Sequence, residues 1–274
     1  MKQPVPASDS FSSSTILPLF PGGARSFYHS NTMKKRSIQS LAILALAALS
    51  TANLFSQDVE PGFKSLFNGR DLTNWAGRTN HWSVEDGVIT GITTKENPAK
   101  GNNFLILQRD GTNAVYDDFE IRFSYKFSSD WGNSGLQYRS KARPNFVVGG
   151  YQGDFEVGIA FSGILYEELG RGILAERGQK VIIHDDNGKL KKEIAGKVND
   201  SQAIQDSIKK NDWNDYVIIA KGNHLQHFIN GMQTVDVVDE QEDKGAKSGI
   251  IAFQIHAGPP MKVQFRNVRI KELK

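Results

Sequence analysis

The 274-residue chain has no cysteine, and its 33 Lys and Arg against 30 Asp and Glu give a net charge of +3. Without cysteine there are no disulfides, thiolate nucleophiles, Cys-ligated zinc or lipid attachment through an N-terminal thiol. The positive balance comes from the N-terminus: residues 1–52 hold Lys2, Arg25, Lys34, Lys35 and Arg36 against Asp9, and removing them leaves 28 basic and 29 acidic residues, so charge gives no argument for nucleic acid.

The first segment reads as material outside the fold. Residues 1–32 are rich in Ser, Pro and Gly and lack periodicity. Met33 precedes Lys34-Lys35-Arg36, an apolar run from Leu41 to Leu49, and the small residues Ser50-Thr51-Ala52. Basic, then apolar, then small is the layout of a secretory signal peptide. The run is shorter than the roughly 20 residues of a bilayer span. The expectation is translation from Met33, an upstream extension over 1–32, a signal peptide over 33–52 and one exported domain over 53–274, periplasmic or extracellular, with no transmembrane segment after cleavage. An uncleaved N-terminal anchor is the competing reading.

From residue 63 onward β signals dominate. Runs rich in Val, Ile, Phe and Tyr recur between Gly, Asn and Asp turns. Strands are predicted over 63–67, 82–84, 88–92 and 103–108. Phe119 to Phe127 alternates strictly, apolar against polar, and is the clearest strand in the chain. Further strands are predicted over 133–139, 146–156, 163–169, 180–184, 189–194, 216–220, 225–229, 234–238, 250–256 and 263–271. Asp200 to Ile208 is the one convincing helix, with Asp200 as its N-cap. About a dozen short antiparallel strands with at most one or two short helices predict an all-β sandwich or jelly roll.

Several strands place unusual side chains on one face. Side chains alternate along a strand, so Asn133, Gln137 and Arg139 share a face, with Gly135 leaving a gap among them. Gln152, Asp154 and Glu156 share another, as do Gln254 and His256, and Tyr166 and Glu168, with Arg171 just beyond. Gathered on one sheet, Arg139, Gln137, Asp154, Glu156, Tyr166, Gln254 and His256 would hydrogen-bond hydroxyls, hold a carbonyl oxygen and move a proton, without the apolar lining most drug-like ligands need. That chemistry suits a sugar. The ordinary alternatives are a solvated strand face for Asp154 and Glu156, an edge histidine for His256, an ion pair for Arg139 and a core position for Tyr166. Glu167, Asp117 and Asp118 read as surface. Trp131 is suited either to stacking on a sugar or to capping the sandwich edge.

The segments from Gly62 to Trp75, from Trp82 to Ile89, from Asn133 to Arg139, Gly163 to Tyr166, Trp213 to Tyr216, Asn230-Gly231, Gly249 to His256 and Val263 to Ile270 resemble, in order, the motifs of the 3-keto-disaccharide hydrolase domain family. The resemblance covers 61–274. It implies a concanavalin A-like jelly roll and cleavage of glycosides whose glucose ring carries a ketone at C3, by elimination across C1 and C2 followed by hydration. Such chemistry needs a base, an electrophile for the enolate oxygen and an acid for the leaving group. For those roles His256 is the candidate base or acid, with Glu156 or Asp154 as partner, and Arg139 the candidate that stabilises the enolate. Asn133, Gln137, Tyr166, Gln254 and Arg171 would hold the sugar. No cofactor is required; a divalent cation on Asp154, Glu156 or His256 is compatible with those ligands. Val157-Gly158-Ile159-Ala160 stands where relatives carry Gln and Asp, and Arg171 to Val198 reads as a segment that shapes the substrate. A lectin-like module of the same fold is the rival reading. A retaining glucanase would need two carboxylates about 5 Å apart, and its usual Glu-x-Asp-x-x-Glu pattern is absent.

Overall fold

The computed structural model describes residues 59–274. The expected extension, signal peptide and cleavage site lie outside the described residues. Among the described residues no helix is long and apolar enough to cross a membrane.

The described residues form nineteen strands and one α-helix. The strands are β1 (Lys64–Ser65), β2 (Trp75–Ala76), β3 (Trp82–Glu85), β4 (Val88–Ile92), β5 (Asn103–Arg109), β6 (Thr112–Asn113), β7 (Val115–Tyr116), β8 (Phe119–Phe127), β9 (Asn133–Arg143) and β10 (Val147–Glu156). They continue as β11 (Leu165–Glu168), β12 (Gly172–Ala175), β13 (Gln179–Asp186), β14 (Lys189–Lys197), β15 (Asn214–Lys221), β16 (His224–Ile229), β17 (Met232–Asp239), β18 (Gly249–Ile255) and β19 (Lys262–Glu272). The helix α1 spans Ser201–Ser207, and the Asp200 side chain accepts the Ala203 N–H as the expected cap.

Two sheets face each other. The first runs β14-β13-β17-β16-β15-β8-β19-β4-β3, with β1 beside β19; the second runs β12-β11-β10-β9-β18-β5-β2, with β6 and β7 at its margin. The all-β sandwich predicted from the sequence is therefore the fold, and the excess over a dozen strands is mostly two-residue pieces such as β1, β2, β6 and β7. One pairing departs from the antiparallel expectation: β13 joins β17 in parallel, because β13 reaches the first sheet from the loop that leaves the second.

The alternation in β8 buries Phe119, Ile121, Phe123, Tyr125 and Phe127 between the sheets. Phe123 stacks on Tyr216, and Phe253 stacks on Phe265 with ring centroids 3.9 Å apart. These contacts link β8, β15, β18 and β19, so the second sheet is fixed against the first over its central strands. Burying such aromatic side chains is the largest stabilising contribution a sandwich of this size has.

The outer face of the second sheet is not uniformly polar. Leu105 and Leu107 enter the main core, so Phe104 and Ile106 face outward; there they form a second cluster with Val148, Ile250 and Ala252. The β9–β10 hairpin curls over them, and Phe146 in its 3-10 turn packs on the cluster. The curl begins where Arg139 takes φ +46° and the β9–β10 register shifts between Gly149 and Tyr151. Gly150 sits in that bulge at φ +147°, where an added Cβ would lie 2.5 Å from Ser140 Oγ. Only glycine allows the two strands to cross so closely there. The curled hairpin leaves the other end of the sheet open.

Candidate functional site

At that open end the outward side chains of β10, β11 and the end of β18 line a cleft of about 230 Å³. Asp154 and Gln152 come from β10, Tyr166 and Glu168 from β11, Asn133 from β9, and His256 from just past β18. Phe161, Ile164 and Ile173 form an apolar rim, and Asn102 enters from the loop before β5.

The gap at Gly135 is filled from the neighbouring strand. A Cβ at Gly135 would lie 2.5 Å from Gln152 Cγ, so the missing side chain is what lets Gln152 lie across β9. A directed hydrogen-bond chain results. Ser140 Oγ donates to Gln137 Oε1 at 2.6 Å, Gln137 Nε2 donates to Gln152 Oε1 at 2.7 Å, and Gln152 Nε2 donates to Asp154 Oδ1. Such chains polarise cooperatively, and this one orients the Asp154 carboxyl with Oδ2 free of that bond.

Asp154 is 6 % exposed and has no cationic partner. Burial raises its pKa to about 8, against the Gln152 hydrogen bond, and the nearby charges of Glu168 and Glu156 push the same way as burial. At neutral pH it is mainly a neutral carboxylic acid, able to donate a proton. Glu168 is also raised by burial, opposed by the Asn102 hydrogen bond and by His256.

His256 Nδ1 lies 2.6 Å from the Ala257 carbonyl. A carbonyl only accepts, so Nδ1 carries a proton, and in the neutral tautomer this bond selects Nε2 is the nitrogen with the lone pair. Asn102 holds this corner: its Oδ1 accepts the Ala257 N–H at 2.9 Å, and its Nδ2 donates to Glu168 Oε1 at 3.2 Å. Trp131 packs edge-on to His256 with ring centroids 6.3 Å apart, which places it at the sandwich edge supporting the histidine. The cleft therefore holds a proton donor, a proton acceptor and several amides, without a cation.

Asp154, His256, Tyr166 and Asn133, all expected from the sequence to act on a sugar, converge here. Gln137 and Gln254 lie beneath and are fully buried. Gln137 acts through Gln152, and Gln254 Nε2 approaches Glu168 Oε2 at 3.5 Å.

Three expected site residues are elsewhere. Arg139 does not share the Gln137 face, because its positive φ turns it out of the strand alternation. Its fully buried guanidinium donates to the carbonyls of Asp117, Gly222 and Ala246 and pairs with Asp118 at 2.7 Å. It ties the curled hairpin to three loops and cannot meet an enolate in the cleft. Arg171 is bound by Glu167 and Asp239, each at 2.7 Å, and by Gln241 at 3.1 Å. It closes the edge between the sheets, so Glu167, read as surface, is an internal ion-pair partner. Glu156 lies at the end of β10, where its Oε1 accepts the N–H groups of Ala160 at 2.7 Å and Phe161 at 2.9 Å. It shapes the Val157-to-Ser162 loop and is not among the cleft residues.

Sequence reasoning passed over Glu168, Asn102, Gln152 and Phe161 as site residues. The shared face of Tyr166 and Glu168 was visible as alternation, and so was Gln152 beside Asp154. Asn102 and Phe161 sit on loops whose course no periodicity gives. Among the described residues no three His, Asp or Glu side chains converge as metal ligands, so the cation considered on Asp154, Glu156 or His256 has no ready-made cage; Glu156 in particular is turned to its loop.

Solved structures share this β-sandwich fold. A candidate glycosyl hydrolase of Parabacteroides distasonis is 20 % identical, with TM-score 0.50 over 78 % of this chain and 94 % of its own. A Bacillus subtilis protein of unknown function with a galectin-like fold is 11 % identical, with TM-score 0.51 over 77 % of this chain and 94 % of its own. No curated protein matches. The 3-keto-alpha-glucoside-1,2-lyase-like domain matches residues 62–271, and the chain belongs to that family of carbohydrate-active proteins.

Proposed function

We propose that the protein cleaves 3-keto-glycosides by β-elimination, with Asp154 and His256 as the acid–base pair. His256 Nε2 takes the C2 proton, which the neighbouring C3 ketone acidifies, and the electron pair moves to form the C2–C3 enolate. Tyr166 Oη and the Asn133 amide, both lining the cleft, donate to the enolate oxygen, the role expected of Arg139. The enolate then re-forms the C3 ketone, C1=C2 forms, and the C1–O bond breaks. Asp154 gives its proton to the departing oxygen. Water adding across C1=C2 gives 3-keto-glucose and completes hydrolysis; release of the unsaturated sugar before that step is the lyase outcome.

What supports this reading is one cleft that holds both the buried Asp154 carboxyl, its pKa pushed up to about 8, and a His256 whose Nδ1 is tied to the Ala257 carbonyl, which leaves Nε2 as the ring nitrogen free for chemistry. A general acid and a general base set apart by environment are what elimination needs. Glu168, held by Asn102, stands beside the pair and favours the imidazolium formed when His256 takes the proton.

The test is incubation with an aryl 3-keto-glucoside and with the unoxidised aryl glucoside. Aglycone release from the keto sugar alone is expected. Binding of both sugars with release from neither would make the chain a lectin-like module instead.

A further inference from the structure

A second basin, of about 560 Å³, adjoins the cleft and shares Glu168 with it. The register explains the adjacency. Gln152 pairs with Tyr166 and Gly150 with Glu168, so the basin lies one side-chain repeat, about 7 Å, farther along the same two strands. Gly149 and Gly150, required by the hairpin bulge, leave its floor without side chains. At about 230 Å³ the cleft falls below the roughly 300 Å³ at which ordinary ligand pockets begin. It holds one sugar ring, and the rest of a disaccharide must leave it toward a neighbouring space.

The walls of that space are basic. Lys141 and Arg143 come from the exposed end of β9, and Lys244 and Lys247 from the loop before β18. Of the carboxylates lining the basin, Asp243 and Glu168 are without a cation, since Glu167 is taken by Arg171. Lys244 Nζ donates to the Gly188 carbonyl, a neutral group, and keeps its charge unopposed. Lys141, Arg143 and Lys247 pair with no carboxylate among the described residues.

We infer that this basin is the subsite for the leaving half of the substrate, and that it takes a saccharide unit bearing a carboxylate or a sulfate. The inference rests on the elimination reading for its placement at the leaving group. Lys and Arg together recognise either oxyanion, and Arg143 adds a planar fork for two oxygens.

The experiment measures binding of three unoxidised disaccharides to the full chain by calorimetry: a neutral glucosyl-glucose, one with a carboxylate on the second ring, and one with a sulfate there. The acidic sugars are expected to bind about tenfold tighter than the neutral one, with the preference shrinking at about 0.5 M NaCl. The exposed pair Lys141→Glu and Arg143→Glu, introduced together, should bring the ratio to about one or below. A carboxylate-only or sulfate-only preference identifies which oxyanion the basin takes. Equal binding of all three sugars, or a preference that survives charge reversal, overturns the inference. Turnover of a neutral 3-keto-glucoside is read separately: its absence beside an intact acidic preference counts against the elimination reading and leaves the basin standing.

Discussion

Glu167 and Glu168 are consecutive residues of β11 with opposite lives. Glu167 turns toward the space between the sheets and meets Arg171 at 2.7 Å, backed by Asp239, Gln241 and Tyr151. Glu168 turns outward into the cleft, where an Asn102 amide is its best partner and Asp154, His256 and Tyr166 are neighbours. One cluster gives both of its carboxylates a shared guanidinium partner and fixes the sandwich edge. The other gathers acids without a cation and leaves their proton affinities raised. Charge left unmatched at moderate burial is the mark of chemistry, because a structural ion pair would have been completed.

Substitutions can test that contrast. His256→Ala and Asp154→Asn should each lower kcat/KM on a 3-keto-glucoside by about 10²–10⁴-fold, with the fold retained. Arg171→Ala should do the reverse, costing about 3–5 kcal/mol of stability by stranding Asp239 and Glu167, read by thermal or denaturant unfolding. Full stability in Arg171→Ala, or full turnover in His256→Ala, would break the comparison.

The pH dependence sharpens it. If Asp154 is the acid, kcat/KM falls as pH rises through about 8. Stability has a worked sign as well. The folded-state pKa of Asp154 lies above its ordinary value of 3.8, so between about pH 4 and 8 the folded state holds more proton than the unfolded one and unfolding free energy falls as pH rises. Asp154→Asn removes that slope, and its melting temperature should gain on the parent from pH 5 to pH 9. The smallest effect expected is at Phe161, 43 % exposed on the cleft rim. Phe161→Ala should raise KM about 2- to 10-fold by removing a surface for the sugar ring, in line with aromatic contacts of roughly 0.5–1.5 kcal/mol. Glu156→Ala, which frees the Phe161 N–H, should move KM the same way.

The sandwich was legible because β8 alternates without a fault and turns separate nearly every strand. Asp154, Tyr166 and His256 were legible by the same period-two rule. Arg139 was misplaced because that rule holds only while φ stays extended, and its positive φ breaks the alternation just where the hairpin curls. Arg171 and Glu156 resisted for another reason: Asp239 lies 68 residues from Arg171, and the Ala160 and Phe161 amides that hold Glu156 belong to an irregular loop with no period to read. Gly135 looked like an opening for ligand and proved to be the seat of Gln152, since a glycine gap in a sheet is as readily filled by the next strand as by a substrate.

The central claim is that a base in this cleft removes the C2 proton of a 3-keto sugar while Asp154 protonates the departing oxygen. The most direct measurement is turnover of an aryl 3-keto-glucoside in D₂O, with product analysed by NMR for the fate of the C2 hydrogen. Loss of the original C2 proton in step with aglycone release, reduced together in His256→Ala, is the predicted result. Aglycone release with the C2 proton fully retained would contradict it.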